Sequence, residues 1–311
     1  MEMAPFFLSL FAGGIRLAMP LVAAALGETF AQRSGVLSVG IEGYMTLAAA
    51  ASLLGSYYTG SAWLGLLAGM AAGGLLALIH AYFCVTHGLD QIVSGLGLMF
   101  LGMAVACMVI WASFAGFAGM PAIACFERID IPILGQLPIV GQILFHHGAL
   151  TYISFLLVPL LWFVLERTKF GLRTRAVGEF AAGSDTMGVN VSVTRYICTV
   201  FSGVMSGLAG AVLCLEINHT FFNGMVAGRG FIIIAAVVLG NWSPVRVFGA
   251  CLLFGLLDAF QYRMQILGWW GVPYEFWIMT PYIITIAALL AVRRVRMPRE
   301  LCIPYFREKA Q

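Results

Sequence analysis

The sequence contains very little charge. Of its 311 residues, 10% are charged and 61% are hydrophobic, whereas soluble domains carry about 25% charged residues. So few charged side chains cannot cover the surface of a soluble globule. The composition therefore excludes a soluble enzyme, a nucleic-acid-binding protein and a disordered chain, and it indicates a polytopic membrane protein.

The sequence also lacks the common catalytic motifs. It has no phosphate-binding loop of the form G-x-x-x-x-G-K-[ST], no H-E-x-x-H, no G-x-S-x-G and no C-x-x-C. ATP hydrolysis by the P-loop mechanism must therefore occur on another subunit, and we expect no catalytic residue, metal site or cofactor. The cysteines show no paired or metal-ligand spacing, which is typical of small packing residues; they are Cys84, Cys107, Cys125, Cys198, Cys214, Cys251 and Cys302.

What the sequence does contain is a series of apolar runs. Each crossing of the hydrocarbon core needs roughly 20 residues, so the chain length allows about eight to ten spans. The runs fall at residues 5–30, 36–58, 63–85, 91–114, 149–165, 196–217, 231–239, 247–267 and 276–292. A Gly- and Pro-rich loop with a predicted short helix at 139–145 covers 115–147, and a polar segment covers 166–195. We predict an all-α, polytopic transmembrane bundle that forms one domain over residues 1–311.

The run 231–239 is too short to cross a membrane alone. Gly228 and Gly230 precede it, and Gly240 and Pro244 follow it. It is either a half-helix that enters a protein-lined cavity, where broken helices are tolerated at membrane depth, or an ordinary span lengthened by its flanks. The bundle is predicted to contain at least one short or broken helix.

Basic residues are concentrated in two segments. Eleven of the 17 Lys and Arg residues lie in the polar segment 166–195 and in the tail 293–311. By the positive-inside rule both segments are predicted to be cytoplasmic. An even number of crossings then separates them, which agrees with the runs if 231–239 counts as a crossing. The loop 115–147 and the N-terminus are then expected outside.

Small residues recur at helical spacing in two of the runs. Gly65, Gly69 and Gly73 are four apart, and Gly203 and Gly207 repeat this pattern. Since lipid provides no hydrophobic drive between helices, small residues allow the close backbone approach that holds such helices together. We expect these runs to pack tightly in the bundle.

Ionisable side chains inside the apolar runs are few, and Glu42, Glu216, Asp258 and Arg263 are among them. A charge at membrane depth is costly, so each is expected to face the bundle interior, water or a partner. Glu42 lies between Gly40 and Gly43, which suggests close backbone approach or an unwound turn. It is either a conformational or pathway-lining contact, or a buried acid satisfied by neighbouring hydroxyl and amide groups.

A set of polar and aromatic residues could contact a small polar solute in a translocation pathway. For any one of them, the alternative is a role in packing the bundle. The candidates are Glu42, Gln91, Ser94, Asn218, Phe222, Asp258 and Gln261.

The polar segment 166–195 must meet an aqueous phase. Its Ala-rich stretch between Gly178 and Gly188 predicts a short helix at the membrane surface. From these residues alone, the helix either docks on a soluble partner or belongs to a solvated loop whose basic residues anchor lipid headgroups.

Several segments together resemble the inner-membrane permeases of ABC importers, in the branch that serves ribose and other simple sugars, branched-chain amino acids and nucleosides. The matching segments in the first half are Glu28, Arg33-Ser34-Gly35-Val36, Val39-Gly40-Ile41-Glu42-Gly43 and Gln91-Ile92-Val93-Ser94-Gly95-Leu96. Those in the second half are Phe170-Gly171-Leu172-Arg173, Arg175-Ala176-Val177-Gly178-Glu179, Ala181-Ala182, Gly188-Val189, Gly228-Arg229-Gly230-Phe231, Ala235-Ala236-Val237, Phe254-Gly255, Asp258-Ala259, Gln261 and Pro281-Tyr282. The resemblance covers most of the chain in the same order, and the segment around Arg229 is most similar to the nucleoside and simple-sugar permeases.

The resemblance implies a pore-forming subunit, not an enzyme, in the bacterial cytoplasmic (inner) membrane. Its implied partners are a cytoplasmic ATP-binding subunit, a second permease chain and an extracytoplasmic solute-binding protein or lipoprotein. The second permease is usually a different protein, which gives a heterodimer, and the alternative is a homodimer of this chain. The implied ATPase-coupling residues are Arg175, Gly178, Glu179, Ala181, Ala182 and Gly188. One departure is Phe180, where the family often has Asn after the Gly-Glu pair.

A nucleoside is the cargo that the resemblance favours, and a simple sugar is the alternative. A stand-alone secondary transporter is a competing hypothesis, but it predicts inverted repeats with matching broken segments. The sequence offers a single candidate broken segment, at 231–239.

Overall fold

The protein is a bundle of α-helices, as the sequence predicts. A computed structural model describes residues 3–116, 121–130, 141, 145–267, 274–291 and 296–306. The helices are α1 (Met3–Arg33), α2 (Ile41–Thr59), α3 (Ala62–Ala81), α4 (Gln91–Phe114), α5 (Ala149–Arg167), α6 (Lys169–Glu179), α7 (Ala181–Thr186), α8 (Val191–Val212), α9 (Arg229–Leu239), α10 (Pro244–Leu267) and α11 (Tyr274–Ala291). Wider π-helical turns extend α3 over Tyr82–Thr86 and α8 over Leu213–Asn218. Strands β1 (Arg128–Asp130) and β2 (His146–Gly148) form an antiparallel pair.

Most of these helices are long and apolar. Among the described residues, six have the length and composition needed to cross a membrane, namely α1, α3, α4, α5, α8 and α10. The helix α2 has 19 residues and α11 has 18, whereas α9 has only 11. The prediction of an all-α polytopic bundle with a short helix is confirmed. The helix predicted at 139–145 falls mostly outside the described residues.

The structure differs from the predicted boundaries in the polar segment 166–195. Helix α6 occupies its first third, and α8 begins at Val191 instead of near Tyr196. The early start of α8 has a local cause, because the Asn190 side chain accepts a hydrogen bond from the Val193 N–H at 3.0 Å and caps the helix. The segment is therefore two short helices and a cap, with little irregular loop.

Hydrogen bonds define the two ends of the bundle. At the end where α1 terminates, the Arg33 Nε donates to Trp242 O at 3.1 Å and the Arg195 Nε donates to Ser34 O at 3.1 Å. We call this the Arg33 end. At the opposite end, the Ser56 Oγ donates to Ala124 O at 2.6 Å, near the β1–β2 pair; we call it the Ser56 end.

Close backbone contact between small residues holds the centre of the bundle. A Cβ added at Gly73 of α3 would lie 2.4 Å from Gly203 O and 2.9 Å from the Gly207 Cα of α8. A Cβ at Gly210 would lie 2.2 Å from Met45 O of α2. Only glycine fits at such distances, so the packing predicted from the small-residue spacing is present.

Candidate functional site

In the part of the chain that the structure describes, one crossing of the bundle lacks a continuous helix. After the π-helical turn at the end of α8, the backbone is non-helical from His219 to Gly228, and both of these residues have positive φ values, 53° and 77°. Helix α9 then covers about 16 Å at 1.5 Å per residue, which is half of a hydrocarbon core. Its far end lies at the Arg33 end, because the Trp242 Nε1 donates to Gln32 Oε1 at 2.7 Å. The half-helix alternative therefore describes this segment.

Glu42 meets the start of this half-helix. Its Oε1 accepts a hydrogen bond from the Gly228 N–H at 2.8 Å. A Cβ at Gly230 would lie 2.7 Å from the Glu42 Cβ, and one at Gly43 would lie 2.5 Å from the Met99 Cα. The glycines around Glu42 thus serve close backbone approach, and the carboxylate lies at the positive end of the α9 dipole. Its Oε2 is buried and has no hydrogen-bond partner among the residues that the structure describes.

A buried ion pair joins α9 to α10. The Arg229 Nη2 lies 3.5 Å from the Asp258 Oδ2, and both side chains are buried. The Arg229 Nη1 also donates to Met225 O at 3.1 Å. Since Asp258 is about 20 Å along α10 from its start, the beginning of α9 lies deep inside the bundle. Asp258 is among the predicted pathway residues and Arg229 is not. A lone arginine between two glycines at the start of an apolar run is the sequence feature that marks Arg229.

A cavity of about 560 Å³ opens beside this ion pair. It lies between α1, the end of α8, the non-helical segment and the second half of α10. Two of the predicted pathway residues, Asn218 and Phe222, line it, together with Ser9, Gly13, Arg16, Leu17, Leu213, Ile217, Met225, Arg229, Ala259, Tyr262, Arg263 and Ile266. Its wall combines aromatic rings, one amide and three guanidinium groups. Glu42, Asp258 and Gln261 do not line this cavity, but Asp258 forms the ion pair with Arg229, which does.

The remaining two predicted pathway residues lie elsewhere. The Gln91 Oε1 accepts from the Leu37 N–H at 2.7 Å, and the Ser94 Oγ lies 3.1 Å from the His80 Nδ1. The His80 Nε2 in turn lies 3.1 Å from Leu37 O. These side chains hold the connection between α1 and α2 in place.

Glu28 is a buried carboxylate that sequence reasoning noted only as part of a resemblance. Its Oε1 accepts from the Gln32 Nε2 and the Ser38 N–H, both at 3.0 Å, and its Oε2 accepts from the Ser202 Oγ at 2.8 Å. The Oε1 of Gln32 in turn accepts a hydrogen bond from the Trp242 Nε1, which extends the network to Trp242. One side chain therefore ties α1 to α8 and to the end of the half-helix.

The predicted coupling residues lie together at the Arg33 end. The short helix expected between Gly178 and Gly188 is α7. Gly178 is buried against α1, because a Cβ there would lie 2.0 Å from Arg33 O. The helical conformation is interrupted at Phe180, which has φ −156° and ψ 88° and separates α6 from α7.

The outward face of this pair of helices is exposed. Phe180 is 63% exposed and Met187 is 84% exposed. Glu179, Ala182 and Gly188 are also exposed, whereas Ala181 is buried. Arg175 forms an ion pair with Glu166 at 2.7 Å, which joins α6 to the end of α5. The arrangement presents a compact, mixed apolar and polar ledge, which we call the α6–α7 ledge.

A second cavity, of about 450 Å³, lies at the Ser56 end. Glu216 in its wall caps the start of α5, although the two are 66 residues apart in sequence. Its Oε2 accepts hydrogen bonds from the N–H groups of Leu150 at 2.8 Å and Thr151 at 3.3 Å. Burial raises the pKa of the Cys125 thiol above its ordinary value, so this group stays protonated at neutral pH. Within the described part of the chain, no three His, Cys, Asp or Glu side chains are placed to hold a metal ion.

Comparison with known proteins identifies the class to which this bundle belongs. Residues 10–289 match the family described as the branched-chain amino acid transport system / permease component. Since this match covers most of the chain, the protein is a member of that permease family. The expectation of a transport subunit, in place of an enzyme, is thereby confirmed.

Individual relatives align over most of the sequence. The chain is 37% identical to the guanosine ABC transporter permease protein NupQ of Bacillus subtilis over 303 residues, which cover 94% of each chain. It is 33% identical to the nucleoside ABC transporter permease protein NupC of Lactococcus lactis over 302 residues, covering 93% of this chain and 94% of the relative. It is 38% identical to the putative glucose ABC transporter permease protein TsgC13 of Haloferax volcanii over 257 residues, covering 81% and 77%.

The protein is therefore a multi-pass membrane permease subunit of an ABC transporter. As such it works with an ATPase partner and a solute-binding protein.

Proposed function

We propose that the chain forms one half of a nucleoside importer in the bacterial cytoplasmic membrane, paired with a second permease chain of different sequence. Relatives named for guanosine and for nucleosides align over more than nine-tenths of the chain, while the glucose relative aligns over 81% of it. In this proposal the α6–α7 ledge and the C-terminal segment face the cytoplasm, as the basic residues there predict.

The observation that carries the proposal is the non-helical crossing between His219 and Gly228. Phe222 in this segment is 49% exposed, and Asn223 and Gly224 are exposed beside it. Irregular backbone cannot face lipid tails at membrane depth, because its N–H and C=O groups would lack partners there. The segment must therefore face water or another chain. We infer that the second permease chain faces it and that the solute passes between the two.

The chemistry of the cavity suits a nucleoside. Its volume lies in the range of small-molecule sites, which are mostly apolar with a few convergent polar groups. Phe222 and Tyr262 offer rings against which a nucleobase can stack, and the Asn218 amide can both donate and accept hydrogen bonds. Three guanidinium groups and no carboxylate among its lining residues disfavour a cationic solute.

Deletion of this chain is expected to abolish uptake of labelled guanosine in a strain without a second copy. Expression of the wild-type chain in the deletion strain should restore guanosine uptake. An excess of another unlabelled nucleoside should suppress this restored uptake, and an excess of glucose should not. Normal guanosine uptake in the deletion strain would refute the cargo assignment, and loss of labelled glucose uptake in its place would support the sugar alternative.

A matched pair of variants locates the solute in this assay. Phe222→Ala is expected to raise the concentration for half-maximal uptake about tenfold, since stacking of a base on an aromatic ring contributes about 1–3 kcal/mol. Phe163→Ala removes a similarly exposed ring from α5 and should leave this concentration unchanged. Equal effects of the two variants would remove Phe222 from the pathway.

A further inference from the structure

The C-terminal segment 296–306 lies across the Arg33 end of the bundle. The Arg296 N–H donates to the Asn241 Oδ1 at 2.9 Å, and the Cys302 N–H donates to Gly35 O at 3.2 Å. Ile303 O accepts from the Arg195 Nη1 at 2.8 Å. The segment is thus bonded to the α9–α10 connection, to the α1–α2 connection and to α8, in place of extending into solvent as a polar tail.

One residue of this segment, Glu300, provides hydrogen-bond partners for the backbone groups on both sides of the break between α6 and α7. The break at Phe180 leaves a carbonyl at the end of α6 and an N–H at the start of α7 without partners in their own helices. The Glu300 N–H donates to Gly178 O at 2.9 Å, and the Glu300 Oε1 accepts from the Ala181 N–H at 3.2 Å. Glu300 therefore caps both helices from more than a hundred residues away in sequence.

The other carboxylate oxygen of Glu300 faces the bundle. Its Oε2 lies 4.0 Å from the Arg195 Nη2, and the Arg195 side chain is 2% exposed. The Arg195 Nε donates to Ser34 O at 3.1 Å, at the beginning of the α1–α2 connection. A continuous series of polar contacts thus runs from the α7 backbone through Glu300 and Arg195 to the segment that precedes Glu42.

We propose that Glu300 is a positioning residue that makes the α6–α7 ledge move together with the α1–α2 connection when the ATPase acts on the ledge. The inference rests on the proposed function and on the ATPase-coupling role that the resemblance implies for the residues of the ledge. Removing the carboxylate frees the start of α7 and leaves Arg195 without its acidic neighbour, while the Glu300 backbone bond to Gly178 is kept. Without the carboxylate, ATP hydrolysis continues, but fewer solute molecules are transported for each ATP hydrolysed.

The test compares variants in the complete reconstituted transporter, with the amount of guanosine transported per ATP hydrolysed as the readout. Glu300→Ala is expected to lower this ratio about tenfold, because a charged acceptor of a buried N–H is lost. Glu300→Gln keeps the acceptor for Ala181 and loses the charge facing Arg195, and should lower the ratio about threefold. Arg299→Ala alters the adjacent exposed side chain and should match the wild type.

A simple structural role would reduce the amount of assembled complex without changing the ratio. A wild-type ratio in Glu300→Ala, or in Glu300→Gln if the alanine variant does not assemble, overturns the inference. If the ledge itself has no coupling role, Gly178→Ala will also transport normally. This outcome distinguishes a failure of the proposed coupling role from a failure of the inference on Glu300. If Gly178→Ala abolishes transport while both Glu300 variants are wild-type, the ledge couples but Glu300 does not transmit its motion.

Discussion

Gly178→Ala is expected to reduce solute uptake by the assembled transporter more than tenfold. The added Cβ would lie 2.0 Å from Arg33 O and 2.8 Å from the Arg33 carbonyl carbon. Both atoms are backbone, so no side-chain rotation relieves the overlap, and α6 must move away from the end of α1. Overpacking of this kind costs about 1–3 kcal/mol, and the movement also pulls Gly178 O away from the Glu300 N–H. Uptake in vesicles, normalised to the amount of assembled complex, measures the effect.

The control for this substitution is Gly249→Ala. Gly249 is also a helical glycine, but an added Cβ there meets no atom within 4 Å. Since alanine is favoured over glycine in helices by about 1 kcal/mol, this variant should be as stable as the wild type or more so, and should transport normally. If Gly178→Ala behaves like Gly249→Ala, the seating of α6 on α1 is not required for transport.

Breaking the ion pair between Arg229 and Asp258 is expected to have the second large effect. Arg229→Ala leaves the Asp258 carboxylate buried without its partner, and removal of one member of a buried pair costs about 3–5 kcal/mol. The fraction of folded protein in detergent during denaturant titration should fall accordingly. Asp258→Leu should also be destabilising, because it leaves the buried guanidinium without its counter-charge, while its Nη1 still donates to Met225 O.

The double variant Arg229→Met with Asp258→Leu separates stability from transport. Replacing both charges by apolar side chains of similar size is often close to neutral for folding, so the double variant should recover most of the lost stability. Uptake should remain low, since the cavity loses one of its guanidinium groups and the start of α9 loses its anchor to α10. Wild-type stability of either single variant would show that the two side chains do not form a pair inside the membrane.

Local features of the fold were predictable from the sequence because they depend on residues close together in the chain. The glycines bracketing 231–239 left two alternatives, of which the half-helix is the one present, and those flanking Glu42 indicated close backbone approach or an unwound turn, of which the close approach is present. The glycines of α3 and α8 marked a tight interface. In each case glycine indicates that another backbone approaches closely at that position. This can be predicted without knowing which segment makes the approach.

The electrostatic links were not predictable in the same way. Arg229 and Asp258 are 29 residues apart, and Ala181 and Glu300 are 119 apart, so no periodicity relates them. Glu300 also lies in the tail 293–311, for which the sequence predicts a cytoplasmic location and no specific contact. Its function as a cap depends on the break at Phe180, the position where the chain departs from the Gly-Glu-Asn pattern. Similarly, the loop-like composition of 166–195 concealed α6 and the Asn190 cap, because short surface helices with many polar residues carry only a weak hydrophobic pattern.

We propose that this chain opens a solute pathway only when a separate ATPase acts on the α6–α7 ledge. The most direct measurement is accumulation of labelled guanosine in proteoliposomes that contain this chain, its second permease, the ATPase and the solute-binding protein. Accumulation is expected to require ATP and to be lost when the ATPase is omitted. Accumulation driven by an ion gradient with this chain alone would show that no ATPase is needed to open the pathway.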